Sequence, residues 1–379
     1  MASTHVTTLT LDLDRIRENL AVVRNHLKDE GGVTPGIMAV IKGFGYGTDD
    51  TALAKVYAEE GVDYFAVAYV EEGIQLRDAG VEGRILVLNP DPRTFDKLGE
   101  FKLEPSMISL GHLKEFLSWV NRNRIAGDNL APIHINVNTG MHRLGFGSGE
   151  VDELAAILKT IPGLRLGTVY THLASTENSE NDDKTHKQLE EFSSVCRLFR
   201  DLLSGEEGLQ NFKSHSLNSS GVVRFPQHGM DFVRVGLSLL GSELSRSGLA
   251  LRPAVFFRTV VTQVQTVPAG QGVGYGYAEP SDSDREIAWL PVGYADGYPR
   301  SLSNGCGRVW INGNEAPVVG RVCMDLTAVD VTGLGVSVGD EVELFGDNIA
   351  IEQVSDAAGT IPYEIVTSIK ESLVREYKD

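Results

Sequence analysis

The sequence predicts an α/β fold: a (β/α)8 TIM-type barrel followed by a separate mainly-β domain. Two observations carry this. Up to about residue 240, short apolar runs alternate with segments whose apolar residues recur three and four apart, the pattern of parallel βα units. After about Leu251 the texture changes to short β-rich runs punctuated by Gly, Asn and Asp, as in Asn312-Gly313-Asn314. A length of 379 residues suits two domains better than one.

The barrel runs fall at 36–41, 64–68, 84–88, 132–137, 165–170, 215–217 and 232–235, with a weaker one at 103–108 as the eighth, and eight units over this length suit a (β/α)8 barrel. Ile16, Leu20, Val23 and Leu27 mark one helical face, and Leu189, Phe192, Cys196, Phe199 and Leu203 another. The later strands are expected at 256–266, 286–292, 308–311, 316–321, 328–331 and 341–345. The boundaries this implies are a barrel over 12–245 and a β domain over 246–379, joined by residues 1–11. No fixed-period repeat or low-complexity tract is present.

Composition narrows the function. With 42% hydrophobic and 23% charged residues the chain is of ordinary globular type. A net charge of −18 argues against nucleic acid and anionic membranes as partners, and means that any anionic ligand needs a local positive site. Cys196, Cys306 and Cys323 have no metal-ligand spacing, so a reducing compartment and no metal are expected. Residues 1–5 lack the pattern of a secretory leader and no apolar run reaches transmembrane length, so the expected location is cytoplasmic.

In such a barrel the chemistry sits at the C-terminal ends of the strands. Lys42 follows the first strand directly. Asn136 and Asn138 interrupt the fifth, with Arg143 beyond. His172 ends the sixth, Asn218-Ser219-Ser220-Gly221 follows the seventh, and Arg234 and Gly236 close the eighth. Loops after the last two strands often bind phosphate; here Ser219 and backbone N–H groups near Gly221 and Gly236 could approach an anion. A lysine desolvated at a strand rim has a lowered pKa and can form a Schiff base. Plainer readings stand beside these: a surface lysine, a simple Ser-Gly turn, and an Arg234–Asp231 salt bridge.

The motifs then resemble one family. Ala39-Val40-Ile41-Lys42-Gly43-Phe44-Gly45-Tyr46-Gly47, Asn138-Thr139-Gly140-Met141-His142-Arg143-Leu144-Gly145, Tyr170-Thr171-His172 and His215-Ser216-Leu217-Asn218-Ser219 are similar to segments of alanine racemases. So are Val273-Gly274-Tyr275-Gly276, Gly293-Tyr294-Ala295-Asp296-Gly297, Gly320-Arg321-Val322-Cys323-Met324-Asp325 and Ile361-Pro362-Tyr363-Glu364. Their order spans nearly the whole chain. The resemblance implies a pyridoxal 5′-phosphate (PLP) enzyme that interconverts L- and D-alanine and supplies D-alanine for peptidoglycan. It implies Lys42 as the covalent anchor of the cofactor, and Tyr46, Ser219, Gly236, Leu237 and Tyr363 as phosphate ligands, with Asn218 alongside. His172 packs near the pyridine ring, Arg234 donates to its nitrogen with His215 in support, and Arg143 bonds the phenolic oxygen. Tyr275 is the second base, Met324 and Asp325 bind substrate together with Arg143, and Tyr294 lines the way in. The same resemblance implies a head-to-tail homodimer in which Tyr275 and Met324 cross the interface.

Racemisation removes the Cα proton from one face and delivers another to the opposite face, so two bases are needed, and Lys42 and Tyr275 fill these roles. A tyrosine is a weak base unless neighbours stabilise its phenolate, and His172 and Arg234 are the expected neighbours. Outside this context Tyr275 would be read as a packed β-domain residue. Three positions depart from the commoner pattern. Gly43-Phe44-Gly45 replaces Ala-Asn-Ala, Asn136 stands where many relatives carry a carbamate-modified lysine, and Asn138 replaces an aspartate. This variant most resembles racemase domains fused to a cell-wall peptide ligase. Substrate choice stays open between alanine and serine, lysine or several amino acids. A non-catalytic PLP-carrier protein would lack the second domain, and a PLP decarboxylase of this barrel type would need a catalytic cysteine, which Cys323 could mimic.

Overall fold

The structure, a computed structural model, describes residues 6–379. Residues 1–5, the start of the stretch expected to join the second domain, lie outside the described residues. The first strand, β1 (Thr8–Asp12), pairs with strands from the far end of the chain. Asp12 then caps the helix Leu13–Asp29 by accepting from the Arg15 N–H at 3.0 Å. That helix buries Ile16, Leu20, Val23 and Leu27, the residues whose spacing predicts it.

Eight parallel strands follow: β2 (Gly36–Val40), β3 (Tyr64–Val67), β4 (Arg84–Val87), β5 (Glu104–Met107), β6 (Ile133–Val137), β7 (Leu166–Thr171), β8 (Lys213–His215) and β9 (Phe232–Val235). They pair in the order β8-β7-β6-β5-β4-β3-β2-β9, a nearly closed barrel wrapped by helices. Their runs are short and apolar because both faces are covered. The β8–β9 seam has no regular ladder; Asp231 N–H donates to the Ser214 carbonyl and Arg234 N–H to the Leu217 carbonyl, each at 3.0 Å. This corrects the strand expected at 215–217. The ladder ends at His215, and Ser216 and Leu217 run along the seam.

The second domain is built on a nine-stranded sheet. It contains β10 (Val255–Val260), β11 (Gln263–Val267), β12 (Arg285–Leu290), β13 (Arg308–Ile311), β14 (Asn314–Val319), β15 (Thr327–Asp330), β16 (Glu341–Phe345) and β17 (Val374–Lys378). The order is β11-β12-β15-β14-β13-β16-β10-β1-β17. The single run expected at 256–266 is two strands. At Val261 and Thr262 the backbone changes partners, donating to Asp340 and then to Trp289, so β10 pairs with β16 while β11 pairs with β12. Two helices, Ile351–Ala358 and Pro362–Thr367, precede β17, the second starting on a proline that needs no N–H partner there. No described helix is long and apolar enough to cross a membrane.

Candidate active site

The site begins with a backbone reversal. After Lys42 the chain makes one left-handed turn, with φ of 62°, 53°, 61° and 57° at Gly43, Phe44, Gly45 and Tyr46. Such a turn costs roughly 1–2 kcal/mol per residue with a Cβ, and glycine at two of the four positions removes that cost there. Glycine is needed again at Gly47, where a Cβ would lie 2.2 Å from the Val366 carbonyl oxygen. The turn is pinned on one side by Glu72, which accepts from the N–H groups of Gly43 (2.6 Å), Ala68 (2.6 Å) and Tyr69 (3.1 Å). On the other side Arg375 donates to the carbonyls of Gly47 (2.8 Å) and Thr48 (3.1 Å).

Lys42 thereby reaches the mouth of the barrel, where a cavity of about 700 Å³ gathers Lys42, Tyr46, Asn136, Arg143, His172, Asn218, Ser219, Arg234, Gly236 and Tyr363. The sequence scatters these over the ends of different strands, and the barrel brings them together. Burial lowers the Lys42 pKa; Arg143 and Arg234 push the same way and Glu72 opposes them. Burial also brings Arg234 down to about 10, which still leaves it a cation at neutral pH.

Arg234 is held from several directions. Its Nη1 lies 2.5 Å from His215 Nδ1, and its Nη2 donates to the carbonyls of Thr171 (2.8 Å) and Ser216 (3.1 Å) and lies 3.2 Å from His172 Nδ1. The alternative salt bridge to Asp231 is not formed; Asp231 instead accepts from the Ser214 N–H at 2.8 Å and pairs with Lys213 at 3.2 Å. Since a guanidinium only donates, both histidines present a lone pair to it and are neutral there. Burial, reinforced by the charge of Arg234, depresses both His172 and His215 well below the usual histidine range.

The same cavity also holds a cradle of hydroxyls. Ser219 Oγ accepts from the Gly236 N–H at 3.1 Å, Tyr363 lies beside Ser219, and the Tyr46 and Tyr363 rings are 5.5 Å apart. A Cβ at Gly236 would stand 2.4 Å from the Tyr46 hydroxyl, so glycine is what lets that hydroxyl approach the backbone. Leu237 opens the 3-10 turn that follows. The Asn218 side-chain oxygen is occupied in capping Ser219–Arg224, accepting from Gly221 N–H (2.9 Å) and Thr176 (2.7 Å). Three cations and this cradle, facing one cavity, fit an anionic ligand that carries a phosphate group.

Arg143 makes no hydrogen bond or ion pair among the described residues, and Asn136 beside it in the cavity carries no charge. Asn138 has a local task, accepting from the N–H groups of Gly140 (3.1 Å) and His142 (3.0 Å) and so shaping the loop that delivers Arg143. Tyr275, Tyr294, Met324 and Asp325 are exposed on the second domain and do not line this cavity within one chain. They share a face: Tyr294 N–H donates to the Cys323 carbonyl at 3.1 Å, Ala295 N–H to that of Met324 at 3.0 Å, and Gly276 adjoins the Arg321 guanidinium. Sequence reading missed Glu72, whose only mark is its place in the first turn of Val70–Asp78. It also missed Glu104, His134 and Thr168, polar residues inside apolar barrel runs.

Comparison with known proteins places the chain in one family. The family model "Alanine racemase, N-terminal domain" matches residues 11–243, and "Alanine racemase, C-terminal domain" matches 254–377. An alanine racemase of Halothermothrix orenii is 34% identical over 99% of this chain and 98% of its own length. One of Carboxydothermus hydrogenoformans is 35% identical over 97% and 98%. Among solved structures, the biosynthetic alanine racemase of Pseudomonas aeruginosa superimposes with a TM-score of 0.86 at 29% identity, covering 99% of this chain and 100% of that one. The alanine racemase of D-cycloserine-producing Streptomyces lavendulae gives 0.87 at 29% identity, covering 100% and 98%.

Proposed function

The chain belongs to the alanine racemase family, and from that premise we propose that it interconverts L- and D-alanine with PLP held on Lys42. The observation that carries the proposal is the cavity itself: Lys42 with a lowered pKa, and with it Arg143, Arg234 and the Tyr46–Ser219–Gly236–Tyr363 cradle. Tyr46, Ser219 and Tyr363 would hold the phosphate through their hydroxyls, and Gly236 and Leu237 through their N–H groups. When bound, the cofactor supplies an electron-withdrawing conjugated ring that acidifies the substrate Cα–H bond.

This chain's residues then divide the work. Lys42 Nζ moves a proton on one face of the substrate Cα, and Tyr275 Oη of a second copy moves one on the other. Arg234 would give a hydrogen bond to the ring nitrogen while keeping its own proton. His172 would lie against the ring, and Arg143 would hold the phenolic oxygen and the substrate carboxylate. Met324 and Asp325 approach that carboxylate from the partner, and Tyr294 borders the path inward. A head-to-tail homodimer is part of the proposal, as is the cytoplasmic location that suits the three free cysteines.

The test is a racemisation assay on purified, PLP-loaded protein with L-alanine, L-serine and L-lysine, alongside an absorption spectrum of the bound cofactor. We expect alanine to be the best of the three substrates. In Lys42→Ala we expect the absorption band to disappear and the rate to fall at least about 100-fold. Absence of PLP binding by the wild-type protein, or preference for another amino acid, overturns the corresponding part of the proposal.

A further inference from the structure

A barrel interior of this type is ordinarily filled by layers of branched apolar side chains, but one column here is polar from top to bottom. It starts at the cavity, where Arg234 Nη1 meets His215 Nδ1 at 2.5 Å. His215 Nε2 lies 3.0 Å from Thr168 Oγ1, which lies 2.8 Å from His134 Nδ1. His134 Nε2 lies 2.9 Å from Glu104 Oε2 and 3.3 Å from the Tyr64 hydroxyl oxygen. At the N-terminal end of the barrel Glu104 accepts from Arg84 Nε and Nη2 and from the Tyr64 hydroxyl, each at 2.9 Å. Glu104, His134, Thr168, His215 and Arg234 are at most 6% exposed, and each is hydrogen-bonded to its neighbour in the column.

The two ends of this column dictate the position of every proton between them. A guanidinium only donates, so His215 Nδ1 is an acceptor and its Nε2 bears the hydrogen. That N–H donates to Thr168 Oγ1, whose own hydrogen turns to His134 Nδ1. His134 Nε2–H then donates to Glu104. A carboxylate only accepts, so the lower end demands the same direction as the upper one. Burial disfavours the Glu104 charge, yet His134 and Arg84 outweigh it and hold the group at about 2. Since burial also pushes His134 toward its neutral form, Arg84 is the lasting cation of that pair.

We propose that Glu104, His134 and Thr168 are positioning residues for the cofactor site, fixing His215 from below in its Nε2–H tautomer so that its lone pair always faces Arg234. Were the tautomer to switch, two donors would meet at the Arg234–His215 contact and the guanidinium would have to move. With His215 fixed, both terminal nitrogens of Arg234 are tied to the protein. Nε is then its one nitrogen without a hydrogen bond among the described residues, and it is the donor available to the cofactor's ring nitrogen. That consequence rests on the PLP reading, whereas the tautomer order does not.

Selective ¹⁵N-histidine NMR of the full-length protein, without and with PLP, reads the tautomers directly, with His134→Gln and His215→Gln spectra for assignment. Both histidines are expected as Nε2–H in both states. Either one found as Nδ1–H or as the imidazolium overturns the proposal, whether or not PLP binds, so failure of the PLP reading shows separately as an absence of binding. A second arm compares Thr168→Val, which removes the link, with Thr168→Ser, which keeps it. For Thr168→Val we expect an exchange-broadened His215 signal, a shifted cofactor absorption band and a fall in kcat of about tenfold, with KM for alanine changed by no more than about twofold. Thr168→Ser should restore all of these. If Thr168→Val lowers only the thermal midpoint and leaves spectrum, band and kcat as in the wild type, the column is core packing and the proposal fails.

Discussion

Arg234 shows at the scale of one residue how position decides chemistry. The sequence left it two partners, Asp231 or a ring nitrogen. The structure settles its protein contacts on His215, Thr171, Ser216 and His172. Because it stays cationic without giving up a proton, a ring nitrogen bonded to it under the proposed function would stay unprotonated and the ring would be a weaker electron sink. Under the racemase reading this keeps protonation at Cα. Arg234→Glu should therefore raise transamination relative to racemisation, measured as pyruvate released from alanine per racemisation event. An unchanged ratio in a variant that still binds PLP would refute this account. Single residues of this kind were legible where a strand end exposes them, as for Lys42 and His172. Glu104, His134 and Thr168 were not, because the bonds joining them span 30 and 34 positions and only the barrel's shear brings them into register.

At the scale of elements, the site depends on a contact between the two domains. Tyr363 reaches the barrel cavity because the helix Pro362–Thr367 packs on the left-handed turn after Lys42, with Gly47 leaving room for the Val366 carbonyl. Arg375, in the last strand of the chain, clamps the same turn through the carbonyls of Gly47 and Thr48. Charge-assisted hydrogen bonds of this sort contribute about 1.5–3 kcal/mol. Arg375→Ala should lower stability by about that amount in a denaturant titration and weaken PLP binding, since Lys42 and Tyr363 both lose a fixed support. If the cofactor dissociation constant is unchanged while stability falls, the clamp serves the fold alone. The barrel strands were readable from apolar runs because burial on both faces leaves a continuous signal. The break at Val261 was not, because a strand that changes partners keeps its β-prone composition. The left-handed turn shows in sequence only as glycine at positions 43, 45 and 47.

At the scale of the whole molecule, the proposed site is incomplete within one chain. Lys42 lies in the barrel cavity, whereas Tyr275 is 68% exposed and Met324 54%, on a face of the second domain that does not reach it. Large apolar and aromatic side chains left exposed together point to a covered surface. In a two-fold dimer each surface would bring its Tyr275 to the partner's Lys42. This arrangement can be tested by complementation. Lys42→Ala and Tyr275→Phe proteins should each be nearly inactive. Unfolded together and refolded as an equal mixture, about half of the dimers are mixed, and each mixed dimer holds one site with an intact lysine from one chain and an intact tyrosine from the other. The second site of that dimer lacks both, so the mixture should recover about a quarter of wild-type activity. If both bases came from one chain, every site in the mixture would lack one of them, and activity would stay at the average of the two parents. A sedimentation measurement on the same mixture checks that dimers have re-formed, which separates failed assembly from a wrong assignment of the tyrosine.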